Sequence, residues 1–322
     1  MQPNQAIRSK EELINHFSSS QKLEILDQEQ MMNLLALNVP PEVWEDSSNR
    51  NLLSFNQEFV QETDEFTLNY REIEHIYLVS FLTNLTELNL QNNKISDISS
   101  ISKLTNLKKL YLESNCIEDI SALQSLPDLT HLDLQVNQIT SYTLALPSLV
   151  HLSLSDNKLK GLQHSPKLEK LYLSYTETAD LRTISHHLFG LKELYLQSNN
   201  LTEISHLSNF VDLQILDLGC NKQLQNIEPL KFCIQLTQLS ISETNVAEIW
   251  PLQFMKNLKT LYMAFTKVVD LHPLQHLYKL DNISASYSSI IDLSPLSKLT
   301  QLKSLHFRYS YGRWNCFFLF TM

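Results

Sequence analysis

The sequence predicts a solenoid of short repeats, in which one β-strand from each repeat joins a parallel sheet. Three observations predict this fold. A Leu-x-Leu pair within each repeat alternates with period two, as the inward side chains of a half-buried strand do. An asparagine or a hydroxyl residue follows the pair at a fixed distance. A leucine also recurs every 19 to 23 residues, at Leu85, Leu107, Leu129, Leu149, Leu168, Leu191, Leu213, Leu236, Leu258, Leu280 and Leu302.

Two of the repeats, "LTELNLQNNKISDISSISKLTN" and "LKKLYLESNCIEDISALQSLPD", share the frame L-x-x-L-x-L-x-x-N-x-I-x-x-I-x-x-L-x-x-L-x-x. This frame, over residues 63 to about 310, resembles the leucine-rich repeat superfamily. The 22-residue unit with "NxIxxI" is similar to the type found in bacterial internalins and in regulators of protein phosphatase 1. The resemblance implies a horseshoe with the parallel β-sheet on its concave face. A unit of 22 residues leaves little room for a full helix on the convex side. We therefore expect short 3₁₀ turns or extended arcs on that side.

The asparagine position predicts a structural ladder of buried amides. An amide there can satisfy backbone groups at the turn, where an unpaired group costs about 1–3 kcal/mol. Four repeats carry Thr176, Thr244, Thr266 or Ser288 instead, and a hydroxyl replaces only part of this bonding. We therefore expect the later repeats to be held more loosely. The predicted ladder consists of Asn93, Asn115, Asn137, Asn157, Asn199 and Asn221.

The frame divides the chain into three predicted parts. Residues 1–62 are interpreted as a short α-helical N-terminal cap, or alternatively a binding module, from the capping-box spacing of Ser9 and Glu12 and the helix-like apolar spacing of "SQKLEILDQEQMMNLLALN". Residues 63–310 hold about 11 repeats, and the two shortest, within residues 129–167, predict deletions in the convex arc. Residues 311–322 form an out-of-frame tail, which is either a truncated end or an aromatic cap over the last repeat.

Composition excludes several classes of function. A net charge of -10 argues against electrostatic binding to nucleic acid or to an anionic membrane. Four glycines cannot form the usual phosphate-binding loops, and four cysteines without a C-x-x-C pair predict neither a disulfide framework nor a zinc site. No segment resembles a secretory signal or a membrane span. We therefore expect a cytoplasmic, monomeric protein without a cofactor and with mostly buried free thiols.

Candidate functional residues lie on the outward positions of the predicted strands. Four tyrosines in one column suggest anchors for a protein interface, although tyrosine also suits an exposed strand. Two histidines fall in neighbouring repeats, but a metal site would need a further ligand, so exposed histidines are the favoured interpretation. The candidates for partner binding are Tyr111, Glu113, His131, Asp133, His151, Tyr172, Glu193, Tyr195, Asp217, Tyr262, Phe265, Tyr287 and Arg308.

These observations favour a non-catalytic scaffold that binds a protein partner on the concave face. Its acidic character favours a basic partner surface. The resemblance makes a phosphatase catalytic subunit one candidate partner, although no contacting residue can be matched individually. A cell-surface adhesin of the internalin kind is the alternative, and the missing signal peptide counts against it. A third reading, the substrate-recognition part of an enzyme, would require a catalytic domain, and no catalytic motif is present in the sequence.

Overall fold

The protein is described by a computed structural model. It describes residues 64–162, 166–178, 181–182, 188 and 190–308, together with the backbone of two short strands nearer the N-terminus. The chain divides into two compact units, Met1–Leu168 and Glu169–Met322. Each unit is a stack of leucine-rich repeats, so the predicted solenoid is confirmed.

Within residues 64–162 of the first unit, the repeats contribute five parallel strands that pair in sequence order. Equivalent residues face each other across neighbouring strands, as Leu88, Leu110 and Leu132 do. Three of the return arcs contain 3₁₀ turns: η1 (Tyr77–Phe81), η2 (Ser99–Lys103) and η3 (Ser121–Ser125). The strands are β3 (Glu65–Thr67), β4 (Glu87–Asn89), β5 (Lys109–Tyr111), β6 (His131–Asp133) and β7 (His151–Ser153).

The described residues of the second unit contribute seven parallel strands and five 3₁₀ turns. The turns are η4 (Ser205–Asn209), η5 (Glu228–Phe232), η6 (Trp250–Phe254), η7 (His272–Leu274) and η8 (Ser294–Leu296). The strands are β8 (Lys170–Tyr172), β9 (Glu193–Tyr195), β10 (Ile215–Asp217), β11 (Gln238–Ser240), β12 (Thr260–Tyr262), β13 (Asn282–Ser284) and β14 (Ser304–His306).

The core of each repeat consists of the frame's leucines and isoleucines. In the repeat of β5, Leu110 and Leu112 have no exposed surface, and Ile117 and Leu123 close the core from the arc. Because alternate strand residues point to opposite faces, Tyr111 between the two leucines must point outward. Each fully buried leucine contributes about 1.5–3 kcal/mol of hydrophobic stabilisation.

The shortened repeat after β6 keeps the strand register. His131 pairs with His151 across 20 residues, so the missing residues fall in the arc, as the sequence predicts. In this arc the backbone of Tyr142 makes an isolated parallel bridge to Leu162, and the Tyr142 side chain is completely buried. Tyr142 thus stands at the position that Ile120 occupies in the preceding repeat, and the buried Leu144 and Leu146 complete the core of the shortened arc.

Asparagine side chains join neighbouring repeats at the strand ends. The amide nitrogen of Asn115 donates to the carbonyls of Leu90 and Leu112 at 3.0 Å each, and its oxygen accepts from the Ile95 amide at 3.0 Å. Each of these asparagines therefore bonds its own repeat and the preceding one. Bonds of the same kind are made by Asn93, Asn137, Asn157, Asn199 and Asn221.

The hydroxyl residues at the ladder position bond differently. The Thr244 hydroxyl donates to Ile241 at 2.6 Å, the Thr266 hydroxyl to Met263 at 2.8 Å, and both acceptors lie in the same repeat as the donor. A threonine side chain is too short to reach the preceding repeat as the asparagine amide does. The later repeats retain backbone bonds between repeats, such as the one from Lys267 to Val246 at 2.9 Å.

The residue before each ladder position has a left-handed backbone. Its φ is 56° at Asn92, 56° at Ser114 and 55° at Asp156, which are small polar residues that tolerate this region. Val136, with φ of 52°, is a β-branched exception. We call this set the strand-end column: Asn92, Ser114, Val136, Asp156, Tyr175, Ser198, Cys220, Glu243, Phe265 and Tyr287.

The N-terminal segment departs from the sequence prediction where it is described. Leu23–Leu26 forms strand β1, which pairs in parallel with strand β2, Leu53–Phe55. The predicted helix is therefore wrong at Leu23–Leu26, because apolar spacing over so few residues also suits a strand that finds a distant partner. The remaining residues of the predicted cap, and the C-terminal tail 311–322, lie outside the described residues.

Candidate functional site

The candidate site lies on the outer face of the repeat strands in each unit, away from the buried leucines. In most of the described strands, as in β5, the residues on both sides of the central leucine are half-buried because neighbouring strands flank them, whereas Ser153 and Ser240 are buried. These positions carry the polar and aromatic residues that the sequence assigns to partner binding. We call this surface the outer sheet face and describe it separately for each unit.

The outer sheet face of the first unit holds a group of polar side chains on β5 to β7. Tyr111 lies opposite Asp133 in the strand register. Glu113 accepts a hydrogen bond from the side chain of Gln91 at 3.0 Å. Asp133 accepts one from the backbone N–H of Gln135, also at 3.0 Å. This arrangement presents two carboxylates beside a phenol ring.

Burial changes the proton affinity of this group. Partial burial, followed by the negative charge of Asp133, raises the pKa of Glu113 above its usual value. Burial also raises the pKa of Asp133, although hydrogen bonds from Gln135 and Ser153 and the nearby His151 oppose the rise. Two carboxylates that cost free energy to ionise would be relieved by a cationic group from a partner.

His131 and His151 lie side by side, with ring centroids 5.5 Å apart and a tilt of 30°. They occupy equivalent positions on β6 and β7, as the repeat spacing predicts. Within the described part of the chain, no group of three His, Cys, Asp or Glu side chains is arranged to hold a metal ion. The two rings therefore extend the polar surface beside Asp133.

The outer sheet face of the second unit holds a stacked aromatic pair. The rings of Tyr172 and Tyr195 are 4.3 Å apart and nearly parallel, at 5°. Lys170 and Glu193 form an ion pair of 2.8 Å on the same two strands, and the Tyr195 hydroxyl donates to Glu193 at 3.4 Å. Burial, together with Tyr172 and Glu193, raises the pKa of Tyr195. The Tyr195 phenol is thus a neutral hydrogen-bonding group, and the two stacked rings form a fixed apolar base.

Asp217 follows this pair on β10 and is held in place by its neighbours. It accepts hydrogen bonds from the side chain of Gln197 and from the Gly219 amide, the latter at 2.9 Å. A Cβ at Gly219 would lie 3.1 Å from the Asp217 carboxylate, so a small residue there leaves room for this conformation. Tyr262 lies in the same column two strands further on, beyond the buried Ser240.

A second aromatic pair lies in the strand-end column of the second unit. The rings of Phe265 and Tyr287 stack at 4.3 Å and 9°, and the side chains are 52% and 46% exposed. Their φ values of 55° and 58° fall in the left-handed region, which is costly for a bulky residue. Arg308 is exposed and its carbonyl accepts from the Tyr287 amide at 2.8 Å.

Sequence reasoning did not select two groups of exposed apolar residues. Tyr70, with φ of 57°, and Tyr175 of the strand-end column are 76% and 54% exposed. Tyr175 directly precedes the ladder residue Thr176, so the repeat frame places it in the same column as Phe265 and Tyr287. The second group lies on the arcs, at positions where the frame does not require an apolar residue, and includes Phe232, Ile234, Trp250 and Phe254.

Cys116 is also exposed and Cys233 is buried, so the described thiols are less uniformly buried than expected.

Comparison with known proteins agrees with the observed repeats. The family model for leucine-rich repeats (2 copies) matches residues 83–125, 105–146 and 190–232. An internalin (inlF) of Listeria monocytogenes is 24% identical, covers 86% of this chain and 77% of its own, and superposes with a TM-score of 0.61. The InlJ functional domain of the same organism is 22% identical. The match covers 78% of this chain and 54% of that domain's chain, with a TM-score of 0.68. The chain thus contains leucine-rich repeats, as the sequence frame predicts.

Two curated relatives match about a third of the chain. A protein phosphatase 1 regulatory inhibitor subunit PPP1R7 homolog of Arabidopsis thaliana is 33% identical over 105 residues, which cover 32% of this chain and 32% of that protein. Leucine-rich repeat-containing protein 56 of Rattus norvegicus is 32% identical over 111 residues, 33% of this chain and 20% of that protein. The chain therefore spans a third or less of the relatives' length.

These relatives and the repeat architecture support a protein-interaction scaffold. Among the described residues, no helix has both the length and the apolar character that a membrane crossing requires.

Proposed function

We propose that the chain is a non-catalytic scaffold that binds a protein partner through the outer sheet face. The observation that carries this proposal is the stacked pair Tyr172–Tyr195, at 4.3 Å, beside the ion pair Lys170–Glu193. Fixed tyrosine rings offer apolar area at little entropic cost and keep their hydroxyls for hydrogen bonds, which makes them common interface anchors.

The strained aromatic pair of the second unit supports the same proposal. Asparagine, serine and aspartate occupy the strand-end column in other repeats, and they adopt a left-handed backbone at lower cost than Phe265 and Tyr287 do. Backbone strain at an exposed site is a reason to look for a function. A partner that covers the two stacked rings would remove their apolar surface from water.

In the first unit, the carboxylates of Glu113 and Asp133 favour a partner with a basic surface. Their raised pKa values show that ionisation is penalised in the free protein. A lysine or arginine of the partner would compensate that penalty and add charge-assisted hydrogen bonds. Complementary charge would also raise the association rate and make it depend on salt.

The catalytic subunit of protein phosphatase 1 is the candidate partner that the Arabidopsis relative suggests. In this proposal the chain acts as a phosphatase regulatory subunit in the cytoplasm, where the sequence predicts it. The proposal is tested by titrating the purified catalytic subunit against the immobilised chain and against a Tyr172→Ala, Tyr195→Ala variant. Truncation of two interface anchors should weaken binding about thirtyfold.

The matched control is Tyr278→Ala, since Tyr278 is 54% exposed but lies on the arc side of the second unit. Equal loss with this control would mean that the outer sheet face is not the binding surface. Absence of binding by the wild type would exclude the phosphatase candidate alone. The broader scaffold proposal is tested by affinity capture from lysate with the wild type and with Tyr111, Tyr172, Tyr195 and Tyr262 changed to Ala. Recovery of the same proteins by both would refute it.

A further inference from the structure

The stacked tyrosines of the second unit leave one ring face of Tyr195 turned toward β10. Tyr172 and Tyr195 lie on the neighbouring strands β8 and β9, and their rings are nearly parallel and 4.3 Å apart. The rings therefore stack along the direction that crosses the strands, and Tyr172 covers only one face of Tyr195. On the other side, Asp217 lies opposite Tyr195 in the strand register. An aromatic face beside a carboxylate attracts a planar cation.

Short side chains follow Tyr195 across the strands and form a notch. The same column continues with Asp217 on β10 and Ser240 on β11 before it reaches Tyr262 on β12. Three strand spacings, or about 14 Å, separate the two tyrosine positions. We call the surface between Tyr195 and Tyr262 the tyrosine notch, and its floor consists of Asp217, Gly219, Ser240 and Ser242.

The floor holds a carboxylate in a fixed orientation. One oxygen of Asp217 accepts a hydrogen bond from the Gly219 backbone N–H at 2.9 Å, and the other accepts one from the Gln197 side chain. Both donors are neutral, and Asp217 forms no ion pair with any residue that the structure describes. Each carboxylate oxygen has two lone pairs, so one on each oxygen is left for a ligand. Two such acceptors match the fork of a guanidinium group, which binds a carboxylate through two parallel N–H bonds.

Gly219 keeps space open beside this carboxylate. A Cβ at position 219 would lie 3.1 Å from a carboxylate oxygen of Asp217 and 3.5 Å from the Ser240 hydroxyl. A side chain at this position would therefore occupy the floor of the notch.

The first unit has the same order of residues but a filled floor. Tyr111, Asp133 and the buried Ser153 follow one another across β5, β6 and β7. Gln135 stands where the second unit has Gly219, and its backbone N–H donates to Asp133 at 3.0 Å. The turn thus accepts a glutamine and still holds its aspartate, so folding does not require the glycine of the second unit.

Two carboxylates act on the edge of the notch. Burial, followed by the negative charge of Glu243, raises the pKa of the Cys220 thiol. A hydrogen bond with Ser198 opposes this rise in pKa, and the charge of Asp217 adds to it. Because Cys220 directly follows Gly219, the same carboxylates attract a cation in the notch. The nearby lysines are paired or lie at exposed positions outside the strands: Lys170 with Glu193, Lys192 with Glu169, and Lys222, Lys259 and Lys267.

We propose that the tyrosine notch binds one arginine side chain of the protein partner. Its guanidinium group stacks on the open face of Tyr195 and donates two hydrogen bonds to Asp217. Lysine fits less well, since its ammonium group is a compact point charge without a planar fork. This inference rests on the proposed function, because it names the partner group that the outer sheet face of the second unit recognises.

The probes are three acetylated tripeptide amides with leucine at both ends and arginine, lysine or citrulline in the centre. Citrulline has the shape of arginine but carries no charge. Each peptide is titrated into the isotope-labelled full chain, and the Gly219 amide signal is followed by nuclear magnetic resonance. We expect the arginine peptide to bind about threefold more tightly than the lysine peptide and at least about tenfold more tightly than the citrulline peptide. The side-chain protons of the bound arginine should shift upfield, because they lie over the Tyr195 ring.

Three variants test the parts of the notch. Asp217→Asn keeps the shape of the side chain and should remove the preference for arginine over citrulline. Gly219→Gln copies the first unit and should weaken binding of the arginine peptide at least about tenfold, because the added side chain occupies the floor. Asp212→Asn is the matched control, since it makes the same charge change at an exposed position on the arc before β10, and it should have no effect. Matching thermal midpoints will show that each variant is folded.

Two results would overturn the proposal outright. The first is equal binding of the arginine and citrulline peptides, or no saturable shift of the Gly219 signal below about 10 mM peptide. The second is an equal loss of binding in Asp217→Asn and Asp212→Asn, because the effect would then come from net charge rather than from the notch.

Failure of this proposal is distinct from failure of the proposed function. If the arginine peptide does not bind, while the variant with Tyr172→Ala and Tyr195→Ala still loses its protein partner, the scaffold stands and arginine recognition is refuted. If the arginine peptide binds as expected, while the tyrosine variants capture the same proteins as the wild type, arginine recognition is supported and the scaffold proposal alone is refuted.

Discussion

The amide ladder makes a strong prediction about stability. Replacement of Asn115 by Ala removes a donor to the carbonyls of Leu90 and Leu112 and an acceptor for the Ile95 amide. Asn115 is 8% exposed, so water does not readily replace these partners. An unsatisfied buried amide costs about 1–3 kcal/mol, and each carbonyl adds less because it keeps a second lone pair. We expect Asn115→Ala to lower the free energy of unfolding by about 2–4 kcal/mol.

The assay is urea unfolding of the full chain followed by far-ultraviolet circular dichroism. Asn115→Thr is the matched control, since it recreates the hydroxyl that Thr244 presents to its own repeat, and it should lose about half as much. Hydrogen exchange at the Ile95 amide gives a local measure, because this amide should lose protection in Asn115→Ala. A loss below about 1 kcal/mol with unchanged exchange at Ile95 would refute the reasoning.

Three further predictions concern the inward, outward and strand-end positions. Leu112→Ala should cost about 2–5 kcal/mol and Glu113→Ala under about 0.5 kcal/mol in the same urea series, and equal losses would mean that the inward and outward assignments are wrong. Val136→Asn should raise the free energy of unfolding by about 1 kcal/mol, because it removes a β-branched residue from a left-handed backbone. An unchanged urea midpoint would show that Val136 carries no strain. Asp133→Asn should stabilise the protein at neutral pH, because burial raises the pKa of Asp133 in the folded state above its ordinary value of 3.8. Stability is therefore lost as the pH rises from 3.8 through the pKa of the folded state, where the buried carboxyl ionises. The gain should shrink as the pH falls toward 3.8, and a gain that is independent of pH would contradict a carboxylate origin.

The sequence predicts the repeat core well because a period of two decides which face a side chain occupies. Leu110 and Leu112 must lie on one side of a strand and Tyr111 on the other. The repeat spacing also predicts that Tyr172 and Tyr195 are neighbours. The spacing cannot predict that their rings stack in parallel, since that depends on side-chain rotamers and on the flanking ion pair.

The N-terminal strands show where this reasoning fails. The residues of β1, "LEIL", fit a helical stripe and a strand equally well over four positions. Only the pairing with Leu53–Phe55, far along the chain, selects the strand. Local spacing carries no information about a partner outside the repeat frame, so the sequence could not decide between the two.

A repeat fold separates what is needed for folding from what is free to vary. Buried leucines such as Leu252 and ladder amides such as Asn221 make the contacts between repeats, and the remaining positions can change without loss of the core. Aromatic rings at such free positions therefore bear on binding more than on stability. In the second unit they form one stacked pair on the outer sheet face, another in the strand-end column and an exposed group on the arcs. If the outer sheet face binds as proposed, substitutions of exposed residues on the arcs should leave affinity at that face unchanged, because the core is the same in every variant.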